Sequence, residues 1–122
     1  MRGTNAELAR RGFEAASHGD LEVIAELLDD GVKWHGGDPS GPGSCSNKGQ
    51  ALEFMRQAIA RGGVGELVEI VEAGDRVVVV LRPAGSGEEG ETTANLTTFR
   101  DGKAVEMIHY PSVRDALAAV GR

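Results

Sequence analysis

Residues 92–110 read TTANLTTFRDGKAVEMIHY. Thr92 to Arg100 and Lys103 to Tyr110 are strand-like runs joined by Asp101-Gly102, a pair that accepts the positive φ angles of a type I′ hairpin turn. Such a two-residue turn pairs Arg100 with Lys103. Continued without interruption, that register sets Val105 opposite Thr98, Met107 opposite Leu96 and His109 opposite Ala94. One face then carries Ala94, Leu96, Thr98, Val105, Met107 and His109, and the other Thr93, Asn95, Thr97, Glu106, Ile108 and Tyr110. The first is the more apolar and is expected to meet helices. The second is polar enough to face water or a second subunit.

Upstream of the hairpin, Val77 to Leu81 is a solid β-branched run and therefore a strand, ended by Pro83. Gly74-Asp75 is the turn that joins it to a loosely alternating strand from Glu66 to Ala73, and Gly85 to Gly90 is a polar connection. Helical spacing governs the first third of the chain. Thr4 caps a helix that reaches His18 and shows Leu8, Gly12, Phe13 and Ala16 on one face; Gly19 ends it. Asp20 caps a second helix with Leu21, Ile24, Leu27 and Leu28 inward, stopped by Asp29-Asp30-Gly31. A short strand, Val32 to His35, runs into a glycine- and proline-rich loop over Gly36 to Ser46 that is placed to close over a cavity mouth. Asn47 then caps a third helix, with Leu52, Met55 and Ile59 inward and Arg56 and Arg61 on a solvated face. Ser112 caps a short last helix ended by Gly121. The element order is α-α-β-α-β-β-β-β-α, in one domain over residues 1–122.

With 13 Lys and Arg against 19 Asp and Glu, the net charge is −6. Without a basic run, and with few aromatic side chains, the chain is a poor match to nucleic acid or to an anionic membrane surface. No apolar stretch has the length of a membrane span or a signal peptide. A single thiol, Cys45, makes no internal disulfide and reads as an incidental loop residue. These features describe a soluble cytoplasmic domain.

His109 is the most informative residue for chemistry, since an imidazole on an apolar concave face can act as a base or a hydrogen-bond donor near neutral pH. The competing reading is a satisfied core or rim histidine. Alternation puts Trp34 and His35 on opposite faces of their strand; with Trp34 inward, His35 is structural. His18 sits in the last turn of its helix, where a cation complements the dipole. The three histidines and Cys45 show no ligand spacing, so no metal site is expected. Gly41-x-Gly43 lacks the strand-turn-helix setting of a dinucleotide fingerprint.

Five segments together resemble the SnoaL-like branch of the nuclear-transport-factor-2-like superfamily, whose fold is the cystatin-like α+β cone. They are Val32-Lys33-Trp34-His35 after Leu27-Leu28-Asp29-Asp30; Lys48-Gly49-Gln50-Ala51 with Phe54; Ala73-Gly74-Asp75-Arg76 leading into Val77 to Val80; Thr98 to Val105; and His109-Tyr110 followed by Arg114-Asp115-Ala116-Leu117. The resemblance covers nearly the whole chain. It implies a cone-shaped barrel, a strongly bent antiparallel or mixed β-sheet wrapped around three helices from the N-terminal half, with a short C-terminal helix. It also implies an apolar pocket for a hydrophobic small molecule, no cofactor, and a homodimer joined through the outer sheet face.

Relatives of this kind include polyketide cyclases, ketosteroid isomerases and limonene epoxide hydrolases. In them an acid in the last strand often precedes the Tyr, whereas here that position is His109. Val77 to Leu81 carries no acid, which argues against the epoxide-hydrolase pattern, and the first helix has Phe13 and no Tyr, which argues against the isomerase trio. Three readings follow. One is a cofactor-free cyclase- or isomerase-type enzyme with His109 as acid and base on a carbonyl-bearing substrate, the pocket lined by Trp34, Phe13, Phe54, Met55, Leu96 and Met107. The second is a ligand-binding or accessory homodimeric module with the same pocket and no turnover. The third is a homodimeric interaction protein whose pocket is vestigial and packed shut.

Overall fold

Each helix of the computed structural model, which describes residues 4–36, 44–61, 65–82 and 91–121, begins on a side chain that caps it. The Thr4 hydroxyl accepts from the Glu7 amide at the head of α1 (Asn5–Ser17), and Asp20 accepts from Val23 at the head of α2 (Leu21–Leu27). Asn47 accepts from Gln50 before α3 (Lys48–Ala60), and Ser112 from Asp115 before α4 (Val113–Ala119). Each bond satisfies one amide that the helix cannot pair internally, so these boundaries are locally encoded. Glu72 adds a long-range tie. Its carboxylate accepts from the Asn5 and Ala6 amides at 3.0 and 3.4 Å, placing negative charge at the positive end of α1 and fixing that helix to the sheet.

The strands are β1 (Leu28–His35), β2 (Glu66–Ala73), β3 (Arg76–Arg82), β4 (Thr93–Arg100) and β5 (Lys103–Tyr110). They form one curved mixed sheet in the order β1-β5-β4-β3-β2, with β1 parallel to β5 and the other pairs antiparallel. The α-α-β-α-β-β-β-β-α order and the cone architecture are those expected. β1 starts earlier than expected, at Leu28 rather than Val32. Asp29-Asp30-Gly31 does end the helix, but it continues as an irregular stretch of strand. There the Gly31 amide donates to the Asp29 carboxylate at 2.9 Å, and the register with β5 shifts between Leu28 and Lys33. Residues 37–43 of the expected loop and the expected connection over Gly85 to Gly90, with Pro83, lie outside the described residues.

Asp101 and Gly102 have φ of 53° and 80°, the two positive angles of the expected turn, and Arg100 pairs with Lys103. The register then departs from the expected one. Phe99 pairs with Ala104 but Thr98 pairs with Glu106, so Val105 is an extra residue without a partner on β4, a β-bulge. Beyond it every pair is displaced by one: Thr97 opposes Met107, Asn95 opposes His109, and Ala94 opposes Tyr110. The β4 half of the expected face assignment is therefore reversed. Thr93, Asn95, Thr97 and Phe99 share the concave face with Met107 and His109.

Leu96, expected among the pocket residues, lies on the convex face. There it packs with Val78, Val80, Ala94 and Ala116, covered by Val113 and Leu117 of α4. The convex face is thus not simply polar, since the chain's own last helix buries an apolar cluster on it. The larger core fills the concave side, where Ala16, Ile24, Leu28, Ala51 and Met55 meet Val77, Val79, Phe99 and Met107. β3 lies between the two clusters, and Val77 to Val80 are all buried, which is why this strand is an unbroken valine run. Leu96→Ala is expected to destabilise the protein by about 2–5 kcal/mol in urea denaturation by opening a cavity in the convex cluster, while leaving the concave pocket unchanged.

Candidate functional site

A cavity of about 320 Å³, partly open to solvent, lies between the concave face of the sheet and the three N-terminal helices. Its helical wall is built on small side chains, Ala9, Gly12 and Ala16 of α1 and Ala58 of α3, which leave room that larger residues would fill. Leu8, Phe13, Ile24, Leu27 and Met55 complete that wall. The sheet contributes Trp34 from β1, Val79 and Leu81 from β3, Thr93, Asn95, Thr97 and Phe99 from β4, and Ala104, Met107 and His109 from β5.

Of the residues expected at a pocket, Phe13, Trp34, Phe54, Met55, Met107 and His109 line this cavity, and Leu96 does not. Trp34 and Phe54 meet edge to face, with ring centroids 4.8 Å apart and an interplanar angle of 72°, a favourable arrangement of two ring quadrupoles. Phe54 is 42 % exposed, a large apolar side chain left half in solvent at the cavity. Cys45 is not the incidental loop residue expected. Its backbone pairs with Trp34 through two hydrogen bonds of 3.0 and 2.8 Å, its side chain is buried in the concave core, and burial raises its thiol pKa.

Among the described residues the lining contains no Lys, Arg, Asp or Glu. Among the same residues, and the Trp34 indole aside, the polar side chains of the lining stand on one patch of sheet: Thr93, Asn95 and Thr97 at alternate positions of β4, with His109 directly across from Asn95 on β5. The Thr97 hydroxyl donates to Asn95 Oδ1 at 2.7 Å. His109 is exposed at the cavity, and its ring has no hydrogen-bond partner among the described residues. Asn95 and Thr97 went unrecognised in the sequence because an unbroken register puts them on the opposite face.

His35 takes the place that alternation assigns it, behind the sheet. It is 6 % exposed, and its Nε2 lies 2.9 Å from a carboxylate oxygen of Glu106, which joins β1 to β5 on the convex side. No group of three or more His, Cys, Asp or Glu among the described residues is arranged to hold a metal ion. No helix among them is long and apolar enough to cross a membrane. Glu106→Ala is expected to cost about 1–3 kcal/mol in urea denaturation, since it removes the carboxylate that pairs with a buried imidazole; Glu106→Gln, which keeps an acceptor, is expected to cost less.

Residues 9–107 match the model of the SnoaL-like domain family. No curated protein matches the sequence significantly. Among solved structures, an NTF2-like protein from Cytophaga hutchinsonii is 13 % identical with a TM-score of 0.73, over 96 % of this chain and 97 % of that one. A candidate polyketide cyclase from Sinorhizobium meliloti is 17 % identical with a TM-score of 0.69, over 84 % and 93 % of the two chains. TerC, co-crystallised with polyporic acid, is 22 % identical with a TM-score of 0.69, over 95 % and 96 %. At these identities the likeness is one of fold.

Proposed function

The chain belongs to the SnoaL-like domain family, and from its cavity we propose that it takes up a neutral, largely apolar small molecule whose polar end meets the wall formed by β4 and β5. The observation that carries this reading is the composition of the cavity: about 320 Å³ and, among the described residues, apolar on every side except one patch and without a charged side chain in its lining. A volume near 300 Å³ suffices for a small organic ligand, and burying its apolar surface supplies most of the affinity. A carboxylate or an ammonium group would lose its hydration without gaining a counter-charge, so charged compounds are disfavoured. The co-crystallisation of TerC with polyporic acid supports the reading of this fold as a small-molecule container.

The chain has a single tryptophan, so one indole N–H cross-peak in a nitrogen-15 NMR spectrum reports on the cavity wall. Titration with a neutral aromatic ketone such as 1-indanone is expected to shift that peak saturably. Ala58→Phe, which fills the cavity from α3, is expected to weaken binding at least tenfold without changing the circular dichroism spectrum. Saturation with unchanged affinity in that variant would move the binding site elsewhere.

A second reading adds proton transfer. His109 lies on the polar patch with its ring unpaired among the described residues, which suits an imidazole that takes an α-proton from a bound ketone and leaves an enolate. In D2O the enolate then receives a deuteron. Wild type is expected to raise deuterium incorporation at the carbon next to the 1-indanone carbonyl above the buffer rate, and His109→Ala to return it to that rate while still binding. Equal incorporation with wild type and with buffer would leave the binding module as the better description.

A further inference from the structure

Asparagine is disfavoured in strands, and an amide facing an apolar cavity costs free energy unless its groups are paired. Asn95 nevertheless stands in the middle of β4, the central strand of the sheet, held by pairing to Val79 of β3 and His109 of β5. Its side chain lines the cavity. One half of the amide is already engaged, since Oδ1 accepts the Thr97 hydroxyl at 2.7 Å. The other half, the Nδ2 group with its two hydrogens, has no partner among the described residues.

Thr97 determines this arrangement. It is 6 % exposed and occupies the next position on the same face of the strand, and it spends its only hydroxyl hydrogen on Asn95. With its carbonyl end accepting from Thr97, the amide presents its donors to the cavity. Among the described residues, nothing charged stands nearby in the lining to recruit an ion.

We infer that Asn95 is the receptor for a carbonyl oxygen in this cavity, with Thr97 as the positioning residue that fixes its donor end toward the ligand. The inference rests on the reading of the cavity as a ligand site and names the group by which that site selects. A ketone or quinone oxygen accepts from Nδ2. Directly opposed residues on an antiparallel pair have Cβ atoms roughly 5 Å apart, so an oxygen held by Asn95 brings its neighbouring carbon beside His109. A hydrocarbon of the same skeleton enters the same cavity but leaves the amide donors unpaired.

The test compares benzophenone with diphenylmethane, in which a methylene replaces the carbonyl, using the Trp34 indole cross-peak to measure both dissociation constants. The quantity read is the ratio of the hydrocarbon constant to the ketone constant, which cancels what the shared skeleton contributes. Asn95→Leu is expected to lower that ratio by roughly three- to tenfold relative to wild type, the worth of one hydrogen bond. Asn95→Asp, nearly isosteric but without the donors, is expected to do the same and stands in if the leucine variant does not fold. Thr97→Val is expected to lower the ratio as well, and Thr97→Ser, which keeps the hydroxyl, to restore it. A ratio unchanged in both Asn95 variants overturns the inference while the cavity reading survives. Failure of Thr97→Ser to restore the ratio reduces Thr97 to a packing residue and overturns its positioning role. No shift of the Trp34 peak with either compound overturns the cavity reading itself, and this inference with it.

Discussion

One unpaired residue between β4 and β5 determines which side chains face the cavity. The type I′ turn fixes Arg100 against Lys103, and the bulge at Val105 then displaces every later pair by one. A strand alternates strictly, so without that displacement Met107 and His109 could not share a face with both Ala104 and Phe99. The bulge reverses the alternation of β5 at a single point and gathers Ala104, Met107 and His109 on the concave side with Phe99, Thr97 and Asn95. It also adds local twist, of the kind a sheet needs to curve around helices. The polar patch and the apolar container therefore follow from the same irregularity.

Much of this architecture was readable from local chemistry. Thr4, Asp20, Asn47 and Ser112 each announce a helix by a side chain that bonds three residues ahead, and both hairpin turns, Gly74-Asp75 and Asp101-Gly102, lie where the dipeptides place them. The unbroken valines of β3 signal a strand covered on both faces. What was not readable is the point at which a hairpin slips, because a bulge without glycine has no local signature and reflects the curvature of the whole sheet. One clue was present. Phe99 is the bulkiest side chain on β4, and taking it as inward puts Thr97 and Asn95 inward with it, against a count of apolar residues that favours Ala94 and Leu96. Size was the better guide here, since the alanine and leucine have their own cover in α4.

The two histidines nearest the sheet show how a residue's surroundings decide its part. His35 and His109 both lie at strand ends beside an aromatic neighbour in sequence. One is turned behind the sheet, buried and joined to Glu106, so its nitrogen is committed to holding β1 on β5. The other stands on the cavity wall with no partner among the described residues. Residue type alone does not separate them; the alternation of β1 and the slip of β5 do.

The helical wall of the cavity has a different character from the sheet wall. Asn95 and Thr97 of the polar patch are tied into ladders on both sides, so their positions cannot change without disturbing strands on either flank. The opposite wall is formed largely by what α1 lacks: Ala9, Gly12 and Ala16 carry almost no side chain, and a Cβ added at Gly12 would come within 3.3 Å of a Leu27 methyl. Exchange of an alanine on that helix reshapes the interior by single methyl-sized increments while leaving the hydrogen-bonding residues where they are. On the proposed reading, the molecule separates what it recognises from how large a thing it admits. Two lineages of this chain can diverge in cavity size through α1 alone and still share one polar patch.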